Sequence, residues 1–250
     1  MLFELLHQSL KRISDLDPRR DAPAFARAML ALRPELAQRW AGAELERLAQ
    51  AVAGVQIGLI RELPDVARAA EAAVFDRSTF PAARCALVGA LGYLVRPRDL
   101  LPDDLPGGLG FLDDSLVLRT VTTGFFGEVH GRLECLDQER RKLRFHALCL
   151  PAERLPEFAR ALDEVWALFH RLLGVPREAA EATTKAIIED PFGRLLPDGL
   201  APTPPAPIGP AGWLTMPGPS VRLVAGKLHA LFAGDLQPRE RELGEAGQGF

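Results

Sequence analysis

Apolar residues recur every three to four positions through most of this chain, so the elements that the pattern predicts are helices. In residues 1–16, Leu2, Leu5, Leu6, Leu10 and Ile13 share one stripe, and Glu4, Gln8, Lys11, Arg12 and Asp15 take the other side. That polar face carries both signs, which favours docking onto the protein's own core over lying in a membrane interface. Further helices are predicted over about 22–32, 34–61 and 64–75, with Pro23, Pro34 and Pro64 at their first turns. In the middle one, Leu36, Trp40, Leu45, Leu48, Val52 and Val55 fall at helical spacing, and Gly54 and Gly58 would let another helix come close. Ser78 or Thr79 is placed to cap a helix over about 80–95. A second core helix is predicted from Leu112 to about Glu139, interrupted by Gly124, Gly127 and Gly131.

The segment Asp137 to Arg144 is densely charged and reads as a solvated face or loop. Its basic residues Arg140, Arg141, Lys142 and Arg144 are the one basic cluster, with Asp137 and Glu139 beside them. Leu155, Phe158, Leu162, Val165, Trp166, Phe169, Leu172 and Leu173 give the cleanest helical rhythm, which Gly174 and Pro176 close. A short helix follows to about Glu189. Prolines then recur from Pro191 to Pro219 and predict an extended arm, with Trp213 and Met216 as apolar anchors. Residues 220–233 fit one last amphipathic helix through Val221, Val224, Leu228 and Leu231, before a polar tail. The expected organisation is an all-α helical domain over 1–190, an arm over 191–219, and a short helix with tail over 220–250.

Composition narrows the function classes. With 250 residues, 48% hydrophobic and 25% charged, the chain can bury a sizeable core and is not disordered wholesale. A net charge of −3 gives no electrostatic reason to expect nucleic acid. The three cysteines, Cys85, Cys135 and Cys149, form no CxxC pair, and their odd number argues against a disulfide framework and for a reducing cytoplasm. The start, with Glu4 and no basic leader, does not read as a signal peptide. The longest apolar run, around Cys85 to Val95, is short of the roughly 18–20 residues of a spanning helix and reads as a buried core helix.

Five carboxylates, Asp99, Asp103, Asp104, Asp113 and Asp114, lie in the turns between the two core helices. If they converge, they offer the oxygen ligands that Mg²⁺, Mn²⁺ or Ca²⁺ prefer, or a pair for acid–base work. The plainer reading is structural. Asp113 and Asp114 open a helix, where an acid serves free N–H groups; Asp99 and Asp103 follow prolines in turns, with Arg96 and Arg98 able to neutralise them. Other constellations are incomplete: His130 and Glu134 lack a third ligand, and His146, Cys149 and His170 stand alone. Ser115 has no GxSxG around it. The cluster Gly107-Gly108-Leu109-Gly110 lacks the Lys-Ser/Thr of a phosphate loop and reads as the bend between two helices.

The order of Tyr93, Pro97, Asp99, Leu100, Pro102, Asp103, Pro106, Gly110, Asp113 and Asp114 resembles the motif of the YkvA-like family, a short domain of unknown function often labelled as a membrane-protein family. The resemblance covers about residues 82–123. The spacing from Pro106 to Gly110 is one residue longer than the common form, and Asp104 stands where the family usually has an apolar residue. It implies a central helical hairpin but brings no established chemistry.

The combined expectation is a non-catalytic all-α protein that binds a protein partner or touches a membrane surface peripherally, in the cytoplasm or associated with a membrane. One alternative is a divalent-metal-binding protein or hydrolase using the aspartates. A second, implied by the resemblance, is an integral membrane protein.

Overall fold

The computed structural model describes residues 1–34, 43–96, 100–125, 129, 136–147, 149–150, 157–158, 165 and 168–192. Among them there is no strand, so the fold is all-α. The predicted arm beyond Phe192, with Trp213 and Met216, the helix over 220–233 and the tail lie outside the described residues, as do Cys135, His130, Glu134, Gly127 and Gly131.

The first helix, α1, is Leu2–Ser14, and its stripe Leu2, Leu6, Leu10 and Ile13 is buried against the core, as the pattern requires. The second, α2, is Pro18–Leu32, and it begins four residues earlier than predicted. Asp17 caps it, accepting from the N–H groups of Arg19 (2.7 Å) and Arg20 (2.9 Å), and Pro18 takes the first turn. Pro23 therefore sits inside the helix rather than at its start. Helix α3 is Ala43–Ile60 and α4 is Leu63–Phe75. Gly54 and Gly58 admit no neighbour: a methyl group at either would meet open space. Close approach occurs on α5, Pro81–Tyr93, where the Cβ positions of Gly89 and Gly92 face Leu168 and Ile187.

Phe80, not Ser78 or Thr79, precedes α5. Ser78 instead donates through its N–H and hydroxyl to Asp76 (2.8 Å each), which holds the preceding turn. After a 3₁₀ turn at Pro106–Gly108 comes α6, Phe111–Gly124. This second core helix stops at its first glycine rather than running to Glu139. A separate helix, α7, is Leu136–Ala147, so the charged segment is neither a loop nor wholly solvated: Lys142 is buried. The charges predicted exposure, but two of them, Glu139 and Lys142, find partners inside, as described below. Val165, Leu168 and Leu172 are buried, and Arg177–Glu189 forms α8.

Helix α5 is apolar on nearly every side, and the described residues of α5 and α6 are almost all buried, the polar ones of α6 included. Such a pair belongs at the centre of a bundle. Helices α4 and α8 pack on α5, α4 and α7 on α6, and α1 lies across α4, α5 and α8. Helix α2 covers the 3₁₀ turn and pairs with α3. The central hairpin is thus wrapped on all sides that the described residues define.

Candidate functional site

The elbow between α5 and α6 is made by backbone constraint. Gly107 and Gly108 have φ of 71° and 84°, the left-handed region that glycine adopts without penalty. A Cβ on Gly107 would lie 2.7 Å from the Asp21 carbonyl oxygen and 2.8 Å from the Phe25 Cα, so the turn lies directly on α2. From the other side, Arg12 of α1 reaches Asp103, donating to its carboxylate (3.2 Å) and its carbonyl oxygen (3.1 Å), while its guanidinium sits 5.1 Å from the Phe111 ring centre. A cation on Asp103 thus comes from α1, 91 positions away, while Arg98, one of the two neighbours the sequence offered, lies outside the described residues.

Asp113 is fully buried. One carboxylate oxygen, Oδ2, accepts from the Tyr93 hydroxyl (3.0 Å) and from the backbone N–H groups of Leu100 (3.1 Å) and Leu101 (3.2 Å). One acid at the start of α6 thereby ties the end of α5 to the first leg of the turn. Burial pushes the Asp113 carboxyl up to about 6, against the donors, Tyr93 first, which favour its charged form. Because the folded value lies above the 3.8 of an ordinary aspartate, the stability linked to this proton is complete below about 3.8 and is lost as pH rises through about 6. The Tyr93 hydroxyl is pushed upward by burial and by Asp113, so it remains a donor.

The five aspartates do not share one environment. Asp113 and Asp114 are buried, Asp103 is half-buried and paired with Arg12, Asp104 is exposed, and Asp99 lies outside the described residues. Among the described residues, no three His, Cys, Asp or Glu side chains are grouped so as to hold a metal ion.

A second polar cluster lies between α3, α6 and α7, and sequence reading passed over it. Arg119 is fully buried on the core helix. Its guanidinium donates to Glu139 (2.6 Å), to Glu62 (2.9 Å), to the Leu59 carbonyl oxygen (2.9 Å) and, at 3.4 Å, to the Ser115 hydroxyl. Lys142 bonds the same two acids, Glu62 at 2.7 Å and Glu139 at 3.0 Å. Burial would raise the Glu139 carboxyl, but Arg119 and Lys142 outweigh it and hold it below the usual range.

Beside this square runs a neutral chain. Ser115 Oγ lies 2.9 Å from His146 Nε2, and His146 Nδ1 lies 2.6 Å from Gln56 Oε1. The Gln56 amide nitrogen donates to the Phe145 carbonyl oxygen (2.8 Å) and Cys149 Sγ (3.0 Å). Since the amide nitrogen is committed there, its oxygen faces Nδ1, which carries the imidazole hydrogen; Nε2 then accepts from Ser115. Burial, followed by the Arg119 and Lys142 charges, holds His146 well below its ordinary value, and burial pushes the Cys149 thiol up to about 12. A serine on a histidine on an amide has the order of a nucleophile, base and orienting group. Here all three side chains are at 0% exposure, so the chain serves as internal bonding. The signal in sequence was weak: Gln56, Ser115 and His146 lie on three helices with no motif among them.

No helix among the described residues is long and apolar enough to cross a membrane. No curated protein and no solved structure matches the chain. Residues 83–118, from the first turn of α5 through the elbow into α6, match the model of a family described as a protein of unknown function (DUF1232), and over this hairpin the chain is similar to that uncharacterised, YkvA-like domain.

Proposed function

We propose that the protein is a non-catalytic helical binding protein, acting through a protein partner or a membrane surface. One observation carries the reading: the Asp113 carboxylate, the best-placed acid in the hairpin, is buried and bonded to the two ends of its own turn. Chemistry at that position holds shape. Large apolar side chains, meanwhile, stand at the surface: Met1, Phe75, Phe80 and Phe192 are about half exposed, and Phe75 stacks on Phe3 at 5.1 Å. The proline-rich stretch from Pro191 to Pro219 adds a segment suited to docking.

Removing residues 191–250 is expected to weaken association with the partner or with vesicles while the helical circular-dichroism signal of the remainder persists. A truncated chain that retains every association of the full one would overturn this part of the reading. The metal alternative is separable from it. Millimolar Mg²⁺, Mn²⁺ or Ca²⁺ is expected to leave the melting temperature unchanged; a rise that disappears when Asp113→Asn and Asp114→Asn are combined would favour a metalloprotein instead.

A further inference from the structure

We propose that α7 is an acid-released latch, held on the bundle by a neutral histidine and let go when that histidine gains a second proton. The geometry that carries this is the set of side chains α7 turns inward. Of its described side chains, the buried ones are Lys142, Phe145 and His146, so two of its three inward anchors are polar. Helices α5 and α6 hold each other mainly through apolar packing, with Asp113 as the titrating group at their elbow. Attachment of α7 depends on charge and hydrogen bonding instead.

His146 has no room for a second proton. Its Nδ1–H is used by Gln56 on α3, and Nε2 receives the Ser115 hydroxyl of α6. A proton on Nε2 would turn the Ser115 hydroxyl from donor to acceptor, at an oxygen that already accepts from Arg119. Among the described residues, the charged groups near it come from α6, α7 and the start of α4. Arg119 of α6 and Lys142 of α7 are cations, and the carboxylates Glu62, at the start of α4, and Glu139 of α7 are bonded to them. Arg33, buried at the end of α2, adds positive potential on the Cys149 side. A histidinium would therefore be a further buried cation among cations. Opening α7 removes that conflict by hydrating the ring, and it uncovers a polar trench lined by Gln56, Ser115, Arg119 and Glu62.

One proton taken up on opening makes the opening equilibrium rise about tenfold per pH unit once pH falls below about 6.5. Asp113 works in the opposite direction, since its proton is bound more tightly in the folded elbow. Acid should therefore loosen α7 while leaving the hairpin closed.

Hydrogen exchange of the full chain between pH 7.5 and 4.5, corrected for the pH dependence of chemical exchange, tests this. Amides of residues 136–147 are expected to open about tenfold more per pH unit below about 6.5, with those of 81–93 and 111–124 unchanged. In His146→Gln the slope between pH 6.5 and 5.5 should vanish; release of Glu139 adds proton uptake only toward pH 4.5. In Gln56→Glu, a carboxylate beside Nδ1 lets the closed state hold the second proton, so the slope should flatten, and this variant decides the matter if His146→Gln does not fold. Opening of 136–147 in step with the whole bundle, a slope retained without the histidine, or a slope undiminished in Gln56→Glu would each overturn the latch.

Discussion

Replacing Arg119 by alanine is expected to lower the stability of the fold by about 3–5 kcal/mol, the cost of removing one partner from a buried ionic group. The side chain is fully enclosed and joins four elements: α6 through its own backbone, the end of α3 at Leu59, the start of α4 at Glu62, and α7 at Glu139. Without it, Lys142 is left facing two carboxylates, and the Leu59 carbonyl loses one of its two donors, keeping the Glu62 N–H. Arg119→Lys should recover only part of the loss. A single ammonium cannot reproduce the planar fork that reaches Glu139 and Glu62 together. Urea denaturation at constant slope reads the difference, and a midpoint within error of the wild type for alanine would show that the cluster contributes nothing. The acid side of the same square, Glu139, stays ionised well into acid because the two cations hold its carboxyl low.

Gly110→Ala is expected to disrupt the elbow, at about 3 kcal/mol or more, the upper end of what overpacking costs. Its φ of −61° is ordinary, so strain in the backbone is not the reason. Space is. An added methyl would lie 2.8 Å from the Asp103 Cα and closer still to the Pro102 carbonyl oxygen, and backbone on both sides cannot yield as a side-chain tip would. The contrast is Gly54→Ala and Gly58→Ala on α3. There the methyl meets nothing, and relief of a helix-interior glycine should stabilise by about 0.5–1 kcal/mol. Thermal melts of the three variants separate the cases. Equal effects at Gly110 and Gly54 would contradict the reading of a crowded elbow.

How much of this was legible from residues depends on the range of the signal. The apolar stripe Leu2, Leu6, Leu10 and Ile13 identified α1, because a helix that packs on one side writes its burial at local spacing. The hairpin was legible because its glycines and prolines impose local geometry. The start of α2 was missed because Pro23 competed with Asp17-Pro18 as a first-turn signal, and the side-chain cap at Asp17 decided it. The charged run of α7 misled because sign and density along the chain say nothing of what lies opposite. Lys142 and Glu139 find Arg119 and Glu62, tens of positions away, and only the fold brings them together. Ser115 and His146 were set aside for lack of a motif, a fair inference for a catalyst but uninformative for a buried hydrogen-bond chain.

The aspartates divide along the same line. An acid at a helix start was legible as a group that serves the backbone. That the backbone served by Asp113 would be Leu100 and Leu101, across the turn, was not, since it depends on how the elbow closes.

The central claim is that Asp113 fastens the elbow by accepting from its backbone. Amide exchange at Leu100 and Leu101, resolved by NMR in the wild type and in Asp113→Ala, tests it most directly. The account expects both amides to be protected in the wild type and to lose that protection in the variant while the amides of α5 remain slow. Fast exchange at Leu100 and Leu101 in the wild type, or protection that survives the loss of the carboxylate, would contradict it.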